Sequence, residues 1–286
     1  MSRPAGPTAP DGADLLAGRR RLHLMGIGGA GMSGLAEWLI DRGHDVSGCD
    51  RAASAVTLRL ERLGARVAVG HDPRHLADVD ALVVSSAIVS AEPERRAAAE
   101  RGLPVIRRAE LLGAIMARAR GIAVAGTHGK STTTTMTGSV LEAAGRDPTV
   151  IVGGRIRGRD GNVRIGAGPW LVAEADEFDR SFLALAPEIA VITNVEADHL
   201  DIYGTEEAVR AAFAEFARRV SPGGSLVLGV DDPGARDLPV PEGVDVVSFG
   251  TGGAARVRAV EIETAGAGIA FDLRLGSLPA ERVRLG

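Results

Sequence analysis

Gly126-Thr127-His128-Gly129-Lys130-Ser131-Thr132 follows the apolar run Ile122-Ala123-Val124-Ala125. A buried strand that ends in glycines and opens a helix with Lys-Ser makes a phosphate cradle. Backbone N–H groups at the helix start face the anion, and the helix dipole favours its charge. The ammonium of Lys130 can reach the β/γ-phosphates, and a hydroxyl such as Ser131 can sit on Mg²⁺. Of 33 basic residues one is a lysine, and it is Lys130. In so arginine-rich a chain, the ammonium stands where a compact point charge suits phosphate better than a guanidinium fork.

Two polar clusters could complete such a site. Glu174-Ala175-Asp176-Glu177-Phe178-Asp179 follows the apolar run Trp170–Ala173, and Asn194-Val195-Glu196-Ala197-Asp198-His199 follows Ile189–Thr193. Both sit past strand ends, on the same sheet edge as the phosphate loop. Carboxylates are hard ligands suited to Mg²⁺, and Glu174 and His199 are the choices for metal contact. For Asp176, Glu177 and Asp179, capping of the next turn is an equal account.

A second glycine loop comes earlier. Leu22–Met25 feeds Gly26-Ile27-Gly28-Gly29-Ala30-Gly31, the G-x-G-x-x-G spacing that lets a backbone approach a pyrophosphate at a helix start. Asp50 ends the following strand, where an acid can bond a ribose or base edge. The motif leaves NAD, FAD and a nucleotide sugar open. Ser85 and Ser86 close another strand, either as ligand contacts or as caps. His71 and His75, spaced i, i+4, read as solvated loop histidines.

The elements that must carry these loops alternate. Expected strands at 45–49, 66–69, 81–84 and 104–106 are separated by helices near 54–63 and 93–101. This pattern implies a parallel sheet wrapped on both faces. A helix over 108–118 leads to the phosphate-loop strand, and a helix over 131–144 follows that loop. The stretch 153–168 reads as a loop or short hairpin, and 206–220 as a helix. Strands at 225–230 and 244–249 precede short antiparallel strands at 257–262 and 269–275.

The 286 residues suffice for two domains. A net charge of −4 and 3% aromatic content give no footprint for nucleic acid. The single cysteine, Cys49, excludes an internal disulfide framework and, on the sequence alone, any Cys-based zinc site. No apolar run has the length of a membrane span. Residues 1–20 lack the apolar core of a signal peptide and read as a disordered tail on a cytoplasmic protein.

Taken in order, Gly26–Ser33, Ser85-Ser86-Ala87-Ile88, Ile106-Arg107-Arg108-Ala109-Glu110, Gly126–Thr132, Glu174–Glu177 and Thr193–Asp201 make the chain resemble the Mur ligase family over roughly residues 20–286. The resemblance implies an α/β fold. A Rossmann-like UDP-sugar domain would span 21–109, and a P-loop-type central ATPase domain with extra terminal strands 110–286. It also implies ATP-dependent joining of L-alanine to UDP-N-acetylmuramic acid through an acyl phosphate, in peptidoglycan precursor synthesis. On that footing Gly126, Thr127, His128, Gly129, Lys130, Ser131, Thr132 and Asn194 hold ATP. Ser131 and Glu174 hold one Mg²⁺, and His199 helps hold a second. Gly26, Gly28, Gly29, Ala30, Gly31, Ser85 and Ser86 hold the UDP-sugar, with Asp50 toward the uridine. Lys130, Glu174 and His199 are the implied catalytic set.

The sequence departs from that pattern in places. Val124 stands where a strict Walker loop has glycine, Ser131 replaces the usual threonine, and Phe178 stands where alanine-adding members often have serine. The aromatic at 178 is shared with murein-tripeptide members. The carbamylated lysine of later ligases in the series has no counterpart here. The family's third domain, which binds the amino acid, starts at about the point where this sequence stops. The resemblance therefore implies a chain that binds nucleotides and turns over poorly by itself. Two other readings stay open, a non-catalytic ATP/UDP-sugar-binding module and a murein-tripeptide-type ligase. Oligomeric state is open.

Overall fold

The computed structural model describes residues 15–154, 156, 161–266 and 268–286. Its first sheet is built from β1 (Arg21–Met25), β2 (Asp45–Asp50), β3 (Arg66–Val69), β4 (Ala81–Val84) and β5 (Val105–Arg107), interleaved with α1 (Ala30–Asp41), α2 (Ala55–Arg62) and α3 (Pro93–Glu100). The strand order is β3-β2-β1-β4-β5 and every pairing is parallel. Strands buried on both faces read as continuous apolar runs, and Ala81–Val84 is buried at every position. The order reverses between β1 and β4, which opens a crevice at their carboxyl ends where such sheets take ligands. Gly26–Gly31 and Ser85-Ser86 flank that crevice.

Residues 15–20 are not the tail expected. Leu15–Gly18 form a turn, and Leu16 is buried in the main core, where packing outweighs the entropy of a short ordered stretch. The rest of that expected tail, residues 1–14, lies outside the described residues.

Helix α4 (Arg108–Met116) leads to the second sheet. Here β6 (Arg120–Ala125) enters α5 (Lys130–Ala143), followed by β7 (Thr149–Ile151), β8 (Val163–Arg164), β9 (Trp170–Glu174) and β10 (Ile189–Ile192). Then come α6 (Leu200–Tyr203), α7 (Glu206–Ala217), β11 (Ser225–Gly229), α8 (Pro233–Arg236), β12 (Asp245–Gly250), β13 (Val257–Ala265), β14 (Gly268–Leu275) and β15 (Glu281–Leu285). The ten strands run β15-β14-β13-β12-β11-β10-β6-β9-β7-β8. From β7 across to β13 the pairings are parallel, while β13-β14-β15 and β7-β8 are antiparallel. The antiparallel strands expected at 257–262 and 269–275 are present, and β15 adds a third.

Register positions the site. Val124 lies level with Glu174 on one side of β6, and Ala125 with Ile192 on the other. Below this edge, Phe182 is sandwiched by Phe213 and Phe216 of α7, with ring centroids 5.2 and 5.0 Å apart. That packing fixes the short 3₁₀ segment Phe178–Ala184 that follows the acidic cluster.

Candidate functional site

The loop after β6 is shaped by its glycines. Gly129 caps α5 in the left-handed region (φ 84°) and supplies no side chain to the first-turn N–H groups. Gly126 also has positive φ (136°), and a Cβ there would collide with Thr193 Oγ1. The neighbouring strand end clamps the loop from one side. The N–H of His128 donates to Asn194 Oδ1 (2.8 Å), Asn194 Nδ2 donates to the His128 carbonyl (3.2 Å), and Thr193 Oγ1 donates to it as well (2.7 Å). Thr127 accepts from the Glu196 N–H at 2.9 Å. Ser131 and Thr132 remain exposed at the start of α5.

Lys130 folds back over its own loop. Its ammonium donates to the carbonyls of Gly126 (2.7 Å) and Thr127 (3.1 Å) and to Glu177 Oε1 (2.7 Å). Burial pushes the Glu177 carboxyl up from its ordinary range, although the Lys130 pairing works the other way. Its second oxygen is buried without a hydrogen-bond partner. Tyr203 donates to the Glu177 carbonyl at 2.6 Å and fixes this turn. His199, itself in the left-handed region (φ 50°), sets Nε2 4.0 Å from Glu177 Oε1 and packs edge-on against Phe178. Glu177 thus belongs to the phosphate loop's surroundings. Nothing in the residue pattern marks Glu177 out from its acidic neighbours Asp176 and Asp179.

Glu174 faces the start of α5. The Ser131 hydroxyl meets its two oxygens at 3.0 and 2.9 Å, and the Gly153 N–H donates to one of them at 2.7 Å. A hydroxyl and a carboxylate side by side form a hard, all-oxygen donor set, which suits Mg²⁺ bound through one or two protein groups.

The first glycine loop stands opposite. Asp50 accepts from the Gly28 N–H (2.8 Å) and the Arg51 N–H (2.8 Å), so it braces the loop at the end of β2. Ser85 accepts from the Ala87 N–H at 3.3 Å, a turn-capping contact, while still lining the crevice beside Ser86. A cleft of about 220 Å³ has Gly29–Met32, Ser85 and Ser86 on one wall and Gly153, Glu174 and Asp176 on the other. A larger cleft of about 810 Å³ continues past Ser85 and Ser86 toward Arg180. Arg108 lines both clefts and lies over Gly31, where a Cβ would stand 3.0 Å from its Cδ. In the sequence, Arg108 stands out only as part of the stretch Ile106–Glu110, with no role attached to it. Its position at the start of α4, just past the carboxyl end of β5, was the available signal.

The loop histidines differ from expectation. His71 and His75 turn inward, with side-chain exposures of 8% and 22%, against a fully buried Glu94. Strand β1 supplies His23 and β2 supplies Cys49 to the same cluster.

Comparison with known proteins agrees with this arrangement. Residues 21–120 match the Mur ligase family, catalytic domain, and residues 171–283 the Mur ligase middle domain. A UDP-N-acetylmuramate–L-alanine ligase of Kineococcus radiotolerans is 51% identical over 277 residues, covering 95% of this chain and 56% of that protein. The enzyme of that name from Burkholderia ambifaria is 49% identical over 245 residues, 85% of this chain and 53% of its own length. The chain therefore spans about half the length of the curated relatives it matches. Among solved structures, the UDP-N-acetylmuramate-alanine ligase of Thermotoga maritima superposes with a TM-score of 0.80 at 28% identity, covering 93% of this chain and 60% of that one. A UDP-N-acetylmuramate:L-alanyl-gamma-D-glutamyl-meso-diaminopimelate ligase from Neisseria meningitides gives 0.83 at 30% identity, over 93% of this chain and 87% of its own. Two facing glycine loops, two matched domains and a relative at that identity over most of its length make this chain a member of the Mur ligase family.

Proposed function

We propose that this chain carries the ATP site and the UDP-sugar site of a UDP-N-acetylmuramate–L-alanine ligase. The supporting observation is the cleft whose opposite walls are Gly29–Met32 and Glu174. The diphosphate of one nucleotide and the terminal phosphate of another can meet there. Residues 21–109 take the UDP-sugar through Gly26, Gly28, Gly29, Ala30, Gly31, Ser85 and Ser86, with Asp50 holding the loop. Residues 110–286 take ATP through Gly126–Thr132, with Asn194 as the brace.

In this reading Lys130 exchanges its contacts with Gly126, Thr127 and Glu177 for phosphate oxygens, and it neutralises charge that develops during phosphoryl transfer. Ser131 and Glu174 would hold one Mg²⁺ and His199 would help hold a second, and these ions would supply charge neutralisation to the phosphates. The lactyl carboxylate of the sugar takes the γ-phosphoryl group, and the amine of L-alanine displaces phosphate from the acyl phosphate. Binding is mostly positioning, which fits a site of backbone donors, one ammonium and hard oxygens. No described helix is long and apolar enough to cross a membrane, and we place the protein in the cytoplasm beside its nucleotide substrates.

One observation favours a second reading. Phe178 packs on His199 at the mouth of the site, and an aromatic at that position is shared with the tripeptide-adding members. Release of phosphate dependent on the tripeptide and indifferent to L-alanine would establish that reading. The primary test is Lys130→Ala, with ATP and UDP-N-acetylmuramic acid titrated separately by calorimetry. The expected result is loss of ATP binding with UDP-sugar binding retained in the same sample. Undiminished ATP affinity overturns the assignment of the loop.

A further inference from the structure

Four residues far apart in sequence converge beneath the first sheet: His23 on β1, Cys49 on β2, His75 in the turn after β3, and Glu94 on α3. One ligand atom from each lies within 4.8 Å of all the others. A tetrahedral zinc with bonds of about 2.0–2.3 Å spaces its ligands by about 3.3–3.8 Å. The cluster is close to that already. His23 Nε2 is 2.9 Å from Glu94 Oε1 and 3.4 Å from Cys49 Sγ, His75 Nδ1 is 3.3 Å from Glu94 Oε1, and Cys49 Sγ is 3.3 Å from Glu94 Oε2. His23, Cys49 and Glu94 are at most 2% exposed.

Hydrogen bonding leaves this cluster unfinished. Glu94 Oε1 and His75 Nδ1 are buried and near one another, yet neither makes a hydrogen bond of acceptable geometry. Glu94 Oε1 faces His23 Nε2 at 2.9 Å as an ion pair without good hydrogen-bond alignment, and a buried carboxylate oxygen so poorly satisfied is costly. Among the described residues no lysine or arginine pairs with Glu94, whose close partners are His23, His71 and His75. The atoms around the ligands are arranged as supports. His23 Nδ1 meets Ser47 Oγ at 2.9 Å and turns Nε2 inward, and the Asp72 N–H donates to Glu94 Oε2 at 3.0 Å. Partners of this kind orient metal ligands from behind. His71 adds its Nδ1 at 3.0 Å from Cys49 Sγ.

We propose that His23, Cys49, His75 and Glu94 form a structural zinc site in the first domain. Against the expectation from the cysteine count, one cysteine suffices, because two imidazoles and a carboxylate complete a four-coordinate set of the nitrogen, sulfur and oxygen donors zinc accepts. All four positions are filled by protein and none of the four residues lines either nucleotide cleft, so the ion is a staple and takes no part in phosphoryl transfer. It ties α3 and the turn at 71–76 to β1 and β2. Burial, with Glu94 alongside, pushes the Cys49 thiol up from its ordinary value. Binding forms the Zn–S bond as the S–H proton leaves to solvent, so affinity falls in acid.

The test uses the whole chain, stripped by a chelator, with excess Mg²⁺ present to occupy the nucleotide site. Zn²⁺ alone and Co²⁺ alone are the probes. The expected result is one zinc per chain, a higher melting temperature with zinc, and a sulfur-to-cobalt charge-transfer band that Cys49→Ser removes. His75→Ala, on the exposed side of the cluster, weakens zinc binding by more than about tenfold, since even an outer-shell change costs about 10–100-fold. Its circular dichroism and its ATP binding stay as in the parent chain. Absence of stoichiometric zinc overturns the proposal, and so does zinc held equally well by His75→Ala with no sulfur band.

Discussion

At the residue scale, Lys130 and Arg108 are held by different means. Lys130 is tethered by two loop carbonyls and Glu177, so a phosphate must outcompete contacts the chain provides itself. Arg108 crosses Gly31 between the two clefts and keeps its guanidinium beside the crevice. A charged hydrogen bond to a diphosphate contributes about 1.5–3 kcal/mol. Arg108→Ala should therefore weaken UDP-sugar binding by about ten- to a hundredfold. ATP affinity measured in parallel should be unchanged. An equal loss in both ligands would move Arg108 out of the UDP-sugar site.

At the element scale, the placement of β1 depends on the residue just before β4. Asp80 accepts from the N–H groups of Arg20 and Arg21, both at 2.9 Å, and from the Arg21 guanidinium at 2.8 Å. The guanidinium and those two N–H groups hold the Asp80 carboxyl well below the usual carboxylate range. A carboxyl depressed in the folded state stabilises at neutral pH, and that stabilisation is lost as pH falls from the unfolded value through the folded one. Asp80→Asn should lower the melting temperature at pH 7, and the gap from the parent chain should close in acid. A gap independent of pH would show that the carboxylate's charge is not what holds β1.

The alternation of strands and helices was legible in the sequence because its parallel strands are short apolar runs closed by glycine or polar residues. Arg66–Val69 and Ala81–Val84 appear with the bounds the pattern implied. Glu281–Leu285 was not legible. It is a half-charged edge strand with little burial, and its pairing with β14 leaves scant hydrophobic signal. Which acid turns toward Lys130 was equally hidden, since Glu174, Asp176 and Glu177 share a turn whose path is set by Tyr203 and Phe182. The inward turn of His71 and His75 was not legible, because an i, i+4 pair in a polar loop says nothing about a carboxylate on α3.

For the whole molecule, the Asn162 amide joins the first glycine loop and the start of α1 to the segment that follows β7. Asn162, 3% exposed, donates to the Ala30 carbonyl at the start of α1 and to the Val152 carbonyl (3.2 Å), and it accepts from Ser33 (3.2 Å). Asn162→Ala takes its donor from the Val152 carbonyl, at about 1–3 kcal/mol for a group left buried without a partner, while Ser33 Oγ still donates to the Ala30 carbonyl at 3.2 Å. Hydrogen exchange should quicken at residues 30–33 and 152–153 while the amides of β6 keep their protection. Unchanged exchange at both segments would mean that the bridge carries no load.

Lys130 has a practical consequence that follows from its clamp. It carries the chain's one side-chain primary amine, so an acylating reagent meets a single ε-amino target, at the mouth of the nucleotide site. With two carbonyls and a carboxylate gripping it, that amine reacts slowly at rest, and a bound phosphate shields it further. The extent of labelling at this one ε-amine, read from the mass of the peptide that carries it and so apart from the N-terminal amine, becomes a gauge of site occupancy.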